Sequence, residues 1–172
     1  MNLMELSKPL TVDQIDFRVQ SIHNGNAILL AYKDARCDMQ RLDDVVGPLN
    51  WKREHSRDNH NCTVSIWNEQ TGQWVGKEDT GTESNAEAQK GLASDSFKRA
   101  CFNWGIGREL YDYPFIFVKL KDDEFNGTKA TNKLRVRDWK WYSEFHENGK
   151  LSFLACKDAS GDVRWKWGVR SE

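Results

Sequence analysis

The chain has 172 residues, of which 38% are hydrophobic and eight are tryptophan. This length favours one domain, and this composition supports a hydrophobic core and argues against a disordered chain. The formal net charge of −1 and the pI of about 6.4 exclude a uniformly basic nucleic-acid binder, so affinity for a polyanion would have to come from local charge asymmetry.

The first half of the chain predicts a hairpin, a helix and three strands. Residues 15–33 form two strand-like runs around the turn-forming sequence His23-Asn24-Gly25-Asn26. Residues 34–46 place apolar side chains on one helix face, and Gly47-Pro48 ends that helix. Three short strands are then predicted, at 51–55, 62–68 and 73–81.

A long amphipathic helix is predicted next, with Ser84 or Asn85 as its N-cap and Gly105 after its last turn. Lys98 and Arg99 stand side by side in its middle, away from the apolar stripe. The stripe follows helical spacing and consists of Ala93, Phe97, Ala100, Cys101 and Trp104.

The C-terminal region predicts further strands. Residues 115–121 read as a strand and the polar residues 122–132 as a loop. Alternating residues over 133–145, 150–158 and 163–168 predict a three-stranded meander. Residues 129–170 carry ten lysines and arginines against five acidic residues, so positive charge is concentrated here.

No catalytic, metal or cofactor site is predicted. The four cysteines lack metal-ligand spacing and the histidines are scattered, so we expect reduced thiols and no metal. A Walker A sequence does not occur, so the sequence does not support an ATP-driven filament recombinase. The acidic runs at 43–44 and 122–124 are interpreted as solvated charge. A metal-dependent nuclease is the alternative that these carboxylates leave open.

Neither a signal peptide nor a membrane span is predicted. The N-terminal sequence MNLMELSKPL lacks a basic segment followed by an apolar one. No apolar run approaches the roughly 20 residues that a spanning helix needs. We therefore expect a protein of the cytoplasm.

Two blocks of the sequence resemble the Rad52-type single-strand annealing proteins, in particular the prokaryotic and phage branch that includes DdrA-like proteins. One is DSFKRACFNWGIGRELYDYP, residues 95–114, which resembles the helix of that family and its exit. The other is AYKDARCDMQRLDDVVGPLNW, residues 31–51, which resembles the first helix and its Gly-Pro-x-Asn-Trp turn. The blocks occur in the order expected for the family.

This resemblance implies an α+β fold in which a curved antiparallel β-sheet packs on the long helix, in β-β-β-α order, with the C-terminal β-meander appended. It implies a single-strand annealing core domain at 1–121, a loop at 122–132 and the meander at 133–172.

It also implies a function. Complementary strands of single-stranded DNA would be annealed without ATP, in homologous recombination and DNA repair, by a homo-oligomeric ring or arc that is not an enzyme. The setting would be a bacterial or phage-infected cell, with a host or phage single-strand-binding protein as a further partner. The subunit contact is expected at an edge strand or in residues 1–14.

Lys98 and Arg99 match the Lys-Arg pair that the family places on the floor of its DNA groove. Two cations on a rigid helix can neutralise phosphates, a contribution that is sequence-independent and salt-dependent. Phe102 stands where the eukaryotic branch has a further basic residue, so other cations must complete the groove.

Arg36, Lys52 and Arg53 are the candidates for that completion. Arg36 lies in the first predicted helix, next to the family's basic position. Lys52 and Arg53 begin a strand, and successive strand residues face opposite sides, so both approach the groove only if the strand ends splay.

The predicted meander alternates aromatic and basic residues. A sheet that stacks bases would show this pattern, and so would a half-buried sheet with aromatic residues inside and basic residues outside. The outer basic face would still be available to DNA. The residues concerned are Trp139, Trp141, Trp165 and Trp167 with Arg137, Lys140, Arg164 and Lys166.

Other functions stay open at this point. A single-stranded DNA end-protection module would bind without annealing. An RNA-binding or adaptor protein would use the meander to bind a protein partner. Arg108 could contact DNA or form an ion pair with Glu109 or Asp112, and we expect the structural role.

Overall fold

Two α-helices and several antiparallel β-sheets make up the described part of the chain, residues 2–82 and 88–170 of a computed structural model. The α+β class is therefore confirmed. Ser84 and Asn85, the predicted caps of the long helix, lie outside the described residues.

The strands are β1 (Ile15–His23), β2 (Asn26–Lys33), β3 (Trp51–Ser56), β4 (Asn61–Asn68), β5 (Gln73–Thr80), β6 (Ile116–Lys119), β7 (Phe125–Asn126), β8 (Lys129–Ala130), β9 (Lys140–Phe145), β10 (Leu151–Lys157) and β11 (Val163–Gly168), and the helices are α1 (Ala35–Val46) and α2 (Ala88–Asn103).

The elements are grouped in two units that are not continuous in sequence. One comprises Met1–Leu10 with Lys33–Arg108, and the other comprises Thr11–Tyr32 with Glu109–Glu172. The domain boundaries that the sequence predicts at residues 121 and 132 stay a prediction.

The first unit contains the antiparallel sheet β3–β4–β5 and both helices. β4 is the central strand, and its Val64 lies between Arg53 of β3 and Lys77 of β5. The predicted stripe of α2 is buried at Phe97, Ala100 and Cys101. These three side chains form one core with Leu6, Leu42, Val46, Cys62, Val64, Ile66 and Ile106.

The N-terminal segment is anchored in this first unit. A 3-10 helix covers Leu3–Ser7, and Leu6 and Leu10 are fully buried. Arg41 of α1 donates hydrogen bonds to the carbonyl oxygens of Glu5 at 3.1 Å and Lys8 at 2.8 Å. The segment therefore packs on its own unit instead of extending away from it.

The second unit contains the first hairpin and the C-terminal strands. β1 and β2 follow the predicted hairpin, since Asn24 and Gly25 both have positive φ and form the tight turn between them. β6 completes this sheet in the order β1–β2–β6.

The predicted meander is present as the sheet β9–β10–β11, in that order. Its first strand is shorter than predicted because residues 133–139 are not strand and include a 3-10 turn at Val136–Asp138. The predicted loop at 122–132 also contains the short antiparallel pair β7–β8.

Candidate nucleic-acid interface

Lys98 and Arg99 are both half-buried on α2, and each lies near a different carboxylate. The Nε of Arg99 is 3.6 Å from Oδ1 of Asp79 on β5, where it is buried and has no hydrogen-bond partner among the described residues. Lys98 lies towards the N-terminus of α1, where its charge acts on Asp34 and Asp38. The two adjacent cations are therefore directed to different neighbours.

Arg36 is held at the N-terminus of α1 by Asp34. The Asp34 carboxylate caps the helix by accepting from the Arg36 backbone N–H at 2.7 Å, and it accepts from Arg36 Nε and Nη2 at 3.1 and 3.0 Å. These bonds, and then the charges of Arg36 and Lys98, hold the pKa of Asp34 below its usual range. The structure thus brings Arg36 and Lys98 to the same carboxylate.

Lys52 and Arg53 lie on opposite faces of the β3–β4–β5 sheet. The Arg53 guanidinium is 4.9 Å from the ring centroid of Phe97, on the face that α2 covers. The Lys52 ammonium is 5.2 Å from the Trp74 ring and 3.2 Å from the Glu54 carboxylate, on the other face. Arg53, but not Lys52, is therefore brought to the helix side.

Phe102 covers a buried cation, which explains its place in the structure. Lys33 is 1% exposed, and its ammonium pairs with the Asp38 carboxylate and donates to the carbonyl of Ile106 at 2.8 Å. The same ammonium is 4.1 Å from the Phe102 ring centroid. Burial raises the pKa of Asp38 to about 6, although Lys33 opposes this change. Sequence reasoning missed this pair because a lysine that ends a strand carries no local signal of burial.

The C-terminal end of α2 is capped by two cations. Lys77 Nζ donates to the Asn103 carbonyl at 2.7 Å, and Arg108 Nη2 donates to the carbonyls of Phe102 at 2.8 Å and Asn103 at 3.2 Å. Cations are favourable at the negative end of a helix dipole. Arg108 therefore has the structural role that was expected, but through backbone carbonyls.

Arg164 of the C-terminal sheet is not on a solvated basic face, which corrects the prediction for this residue. It is 5% exposed and donates to both carboxylate oxygens of Glu124, at 2.8 and 2.7 Å. Its guanidinium is 3.3 Å from Asp158 and 4.6 Å from the Trp139 ring centroid. It is a structural ion-pair residue.

The tryptophans of this region differ in exposure. Trp139 is 8% exposed, and Trp141 stacks on Phe17 with centroids 3.5 Å apart and planes 5° apart. Both are committed to packing within their unit. Trp167 is 40% exposed, so the alternating sequence pattern does not predict which ring is available for stacking.

The described residues also bear on metal binding and membrane insertion. Within residues 2–82 and 88–170, no group of three or more histidine, cysteine, aspartate or glutamate side chains is arranged to hold a metal ion. None of the described helices has both the length and the apolar character required to cross a bilayer.

The region around α2 matches a known protein family. Residues 59–129, which include β4, β5 and α2 with Lys98 and Arg99, match the model of the Rad52/22 family double-strand break repair protein. The resemblance to the Rad52-type, DdrA-like family is confirmed. No solved structure gives a significant match to this chain.

Two curated relatives of this chain are named single-stranded DNA-binding protein DdrA. The protein from Deinococcus radiodurans is 39% identical over 110 residues, which are 63% of this chain and 52% of the relative. The protein from Deinococcus deserti is 36% identical over 100 residues, which are 57% of this chain and 49% of the relative. The chain therefore spans about half the length of the curated relatives it matches.

Proposed function

We propose that this protein binds single-stranded DNA and anneals complementary strands without ATP, in homologous recombination and DNA repair. The observation that carries the proposal is the family match over residues 59–129, because it includes the helix that bears Lys98 and Arg99. The names of both DdrA relatives, which describe single-stranded DNA binding, support it.

The cations around α2 supply the binding energy in this proposal. Lys98 and Arg99 contact phosphates, and Arg36 and Arg53 extend the contact along the strand. Each phosphate contact releases counterions, which gives salt-dependent affinity without sequence preference. Lys52 lies on the other face of the sheet and is not included in this set.

Two carboxylates compete with DNA for these cations. Arg99 is 39% exposed and its partner Asp79 is 31% exposed, while Arg36 is 85% exposed and Asp34 44%. Ion pairs this accessible contribute only about 0–1 kcal/mol. A phosphate can therefore replace each carboxylate at little cost in free energy. Before DNA binds, the carboxylates orient the cations.

Annealing follows from this binding mode. Phosphates held by cations repel a second strand less, and the bases of the held strand stay free to pair. Base pairing then supplies the specificity and most of the free energy, so nucleotide hydrolysis is not needed. We assign no enzymatic activity and no cofactor.

One chain offers few phosphate contacts, so we propose that it works as a homo-oligomeric ring or arc. This proposal includes the curved sheet on a long helix that the family resemblance implies. β5 is the favoured contact because it is an edge strand with mostly exposed residues, whereas Leu6 and Leu10 anchor the N-terminal segment. A native mass that is monomeric with and without DNA would contradict the ring.

The cell compartment and further partners complete the proposal. We place the protein in the cytoplasm of a bacterial or phage-infected cell, where recombination substrates occur. A host or phage single-strand-binding protein is the expected partner, because it covers the strands that must be annealed.

The test is annealing of two complementary oligonucleotides without ATP. We compare the wild type with Lys98→Ala/Arg99→Ala and with the matched control Lys119→Ala/Lys129→Ala, which removes two exposed cations of the other unit. The wild type and the control should accelerate annealing, and the α2 variant should not. Equal acceleration by all three proteins would remove α2 from the mechanism.

Single-stranded DNA end protection is the second candidate, and the names of both relatives favour it because they describe binding alone. It predicts tight binding and slower exonuclease digestion of DNA ends, with no change in the annealing rate. Competition between single-stranded DNA, RNA and duplex DNA separates both candidates from an RNA-binding protein.

A further inference from the structure

The outer face of the β9–β10–β11 sheet carries three lysines around one tyrosine. Lys140 and Tyr142 come from β9, Lys157 from β10 and Lys166 from β11. Lys157 is directly opposite Lys140, and Ala155, the next residue of β10 on that face, is opposite both Tyr142 and Lys166. Because directly opposed residues share a face and alternate residues return to it, all four side chains project from the same side.

This side is the solvated one. Leu154 and Cys156, which alternate with these positions on β10, are fully buried on the other face. The three lysines are exposed, and Tyr142 is 42% exposed above the buried Ala155. An exposed aromatic ring therefore stands among exposed cations.

The carboxylates nearby in the sequence are already neutralised. Glu144, at the other end of β9, pairs with Arg170 at 3.0 Å. Asp158 pairs with Lys121 at 2.9 Å and with Arg164 at 3.3 Å. In the part of the chain that the structure describes, no carboxylate forms an ion pair with Lys140, Lys157 or Lys166. The face keeps its positive charge.

The fold does not require this arrangement. Like charges directly opposite each other across two strands destabilise a sheet, and Lys140 and Lys157 are such a pair. A bound polyanion would relieve their repulsion. The lysines lie on three neighbouring strands, and the outer two strands are about 10 Å apart, so one nucleic-acid strand that crosses the sheet can reach all three ammonium groups.

We propose that this lysine–tyrosine face (Lys140, Tyr142, Lys157 and Lys166) is a second binding site for single-stranded DNA. Phosphates contact the three ammonium groups and an unpaired base stacks on the Tyr142 ring. A duplex is a poorer ligand because its bases are already stacked. The site lies outside residues 59–129, and the inference rests on the proposed function in that the protein handles single-stranded DNA.

The test measures binding of a fluorescent oligothymidylate by anisotropy at several salt concentrations. The site variant is Lys140→Ala/Lys157→Ala/Lys166→Ala. The matched control, Lys119→Ala/Lys129→Ala/Lys133→Ala, loses the same charge from exposed residues outside the three strands. The site variant should bind at least about tenfold more weakly than the control, with a slope of log affinity against log salt that is smaller by about 2, for three lost contacts at about 0.7 each.

The tyrosine gives an independent measurement. Tyr142→Leu should weaken binding by roughly 5- to 150-fold, the range expected for one stacked base, while the salt slope stays unchanged. A photoreactive amino acid at position 142 should cross-link to the oligonucleotide. The site variant should melt at or above the wild-type temperature because the Lys140–Lys157 repulsion is removed, and this result shows that lost binding is not lost folding.

The outcomes separate this inference from the proposed function. If the site variant and Tyr142→Leu bind as tightly as the matched control while Lys98→Ala/Arg99→Ala binds weakly, the second site is refuted and the α2 site stands. If the wild type does not bind single-stranded DNA, both are refuted. Equal competition by duplex DNA would refute stacking on Tyr142.

Discussion

Replacing Asp79 by asparagine should strengthen DNA binding, because it frees Arg99 from a carboxylate. The Arg99 Nε and the Asp79 Oδ1 are 3.6 Å apart in a pair that is 39% and 31% exposed. The substitution keeps the shape of the side chain and an oxygen at Oδ1, which accepts from the Thr80 backbone N–H at 2.7 Å. It removes the 3.2 Å hydrogen bond that Oδ2 accepts from Asn103 Nδ2. The retained bond to Thr80 should keep the end of β5 in its conformation.

Two effects of the same sign set the size of the gain. In the wild type, a phosphate that binds Arg99 must first break a partly exposed ion pair, which costs about 0.2–1 kcal/mol, and the variant does not have this cost. Removal of a carboxylate at about 7 Å from a bound phosphate removes a repulsion of about 0.6 kcal/mol in water. Together they amount to roughly 0.8–1.6 kcal/mol, which is about a 4- to 15-fold increase in affinity.

The assay is a double-mutant cycle. Affinity for an oligothymidylate is measured at one salt concentration for the wild type, Asp79→Asn, Arg99→Ala and the double variant. Without Arg99, only the repulsion remains, so Asp79→Asn should then improve binding by about threefold. An equal gain with and without Arg99 would refute the reasoning, since it would show that the released guanidinium does not contact DNA.

Three predictions concern stability. Arg164→Ala should lower the free energy of unfolding by about 3–5 kcal/mol in urea titrations, because Glu124 is left buried and unpaired, whereas Lys166→Ala should stay within about 0.5 kcal/mol. Gly81→Ala should lower the melting temperature and the free energy of unfolding, the latter by about 1–3 kcal/mol, because the added Cβ would lie 2.7 Å from the Ser96 nitrogen of α2. An unchanged melting temperature would contradict this packing. Burial acts to raise the pKa of Glu124, but hydrogen bonds from Arg164 hold this pKa below 4.5. The ionised Glu124 should therefore stabilise the fold above pH 4.5, and this contribution to the free energy of unfolding should be lost as the pH falls further. A Glu124→Gln variant should lack this acid transition in a pH series of urea titrations.

The secondary structure was largely predictable because it depends on local patterns. The stripe containing Phe97, Ala100 and Cys101 has helical spacing, and these side chains are buried in α2. The turn at Asn24-Gly25 separates two alternating runs, and the structure has a hairpin there. The 3-10 turn before β9 was missed, because it interrupts an alternating sequence that continues through it.

The candidate site was predictable only in part. The adjacency of Lys98 and Arg99, and the two motif blocks, are properties of the sequence, and they led to the family that the comparison confirms. Their acidic neighbours were not predictable. Asp79 lies 20 positions before Arg99 and meets it only because β5 packs beside α2.

Composition, periodicity and motif order determined the fold class, the positions of most elements and the family that this chain resembles, since each of these is encoded by residues close together in sequence. The tertiary structure alone decided which cations are available. Arg164 and Lys166 are two residues apart on one strand, yet the first is enclosed by Glu124 and Asp158 and the second is exposed. The physical reason is that burial and pairing depend on which distant segment packs above a side chain. At Arg164 the register between β10 and β11 also shifts, because Cys156 is opposite Trp165 whereas Lys157 is opposite Val163.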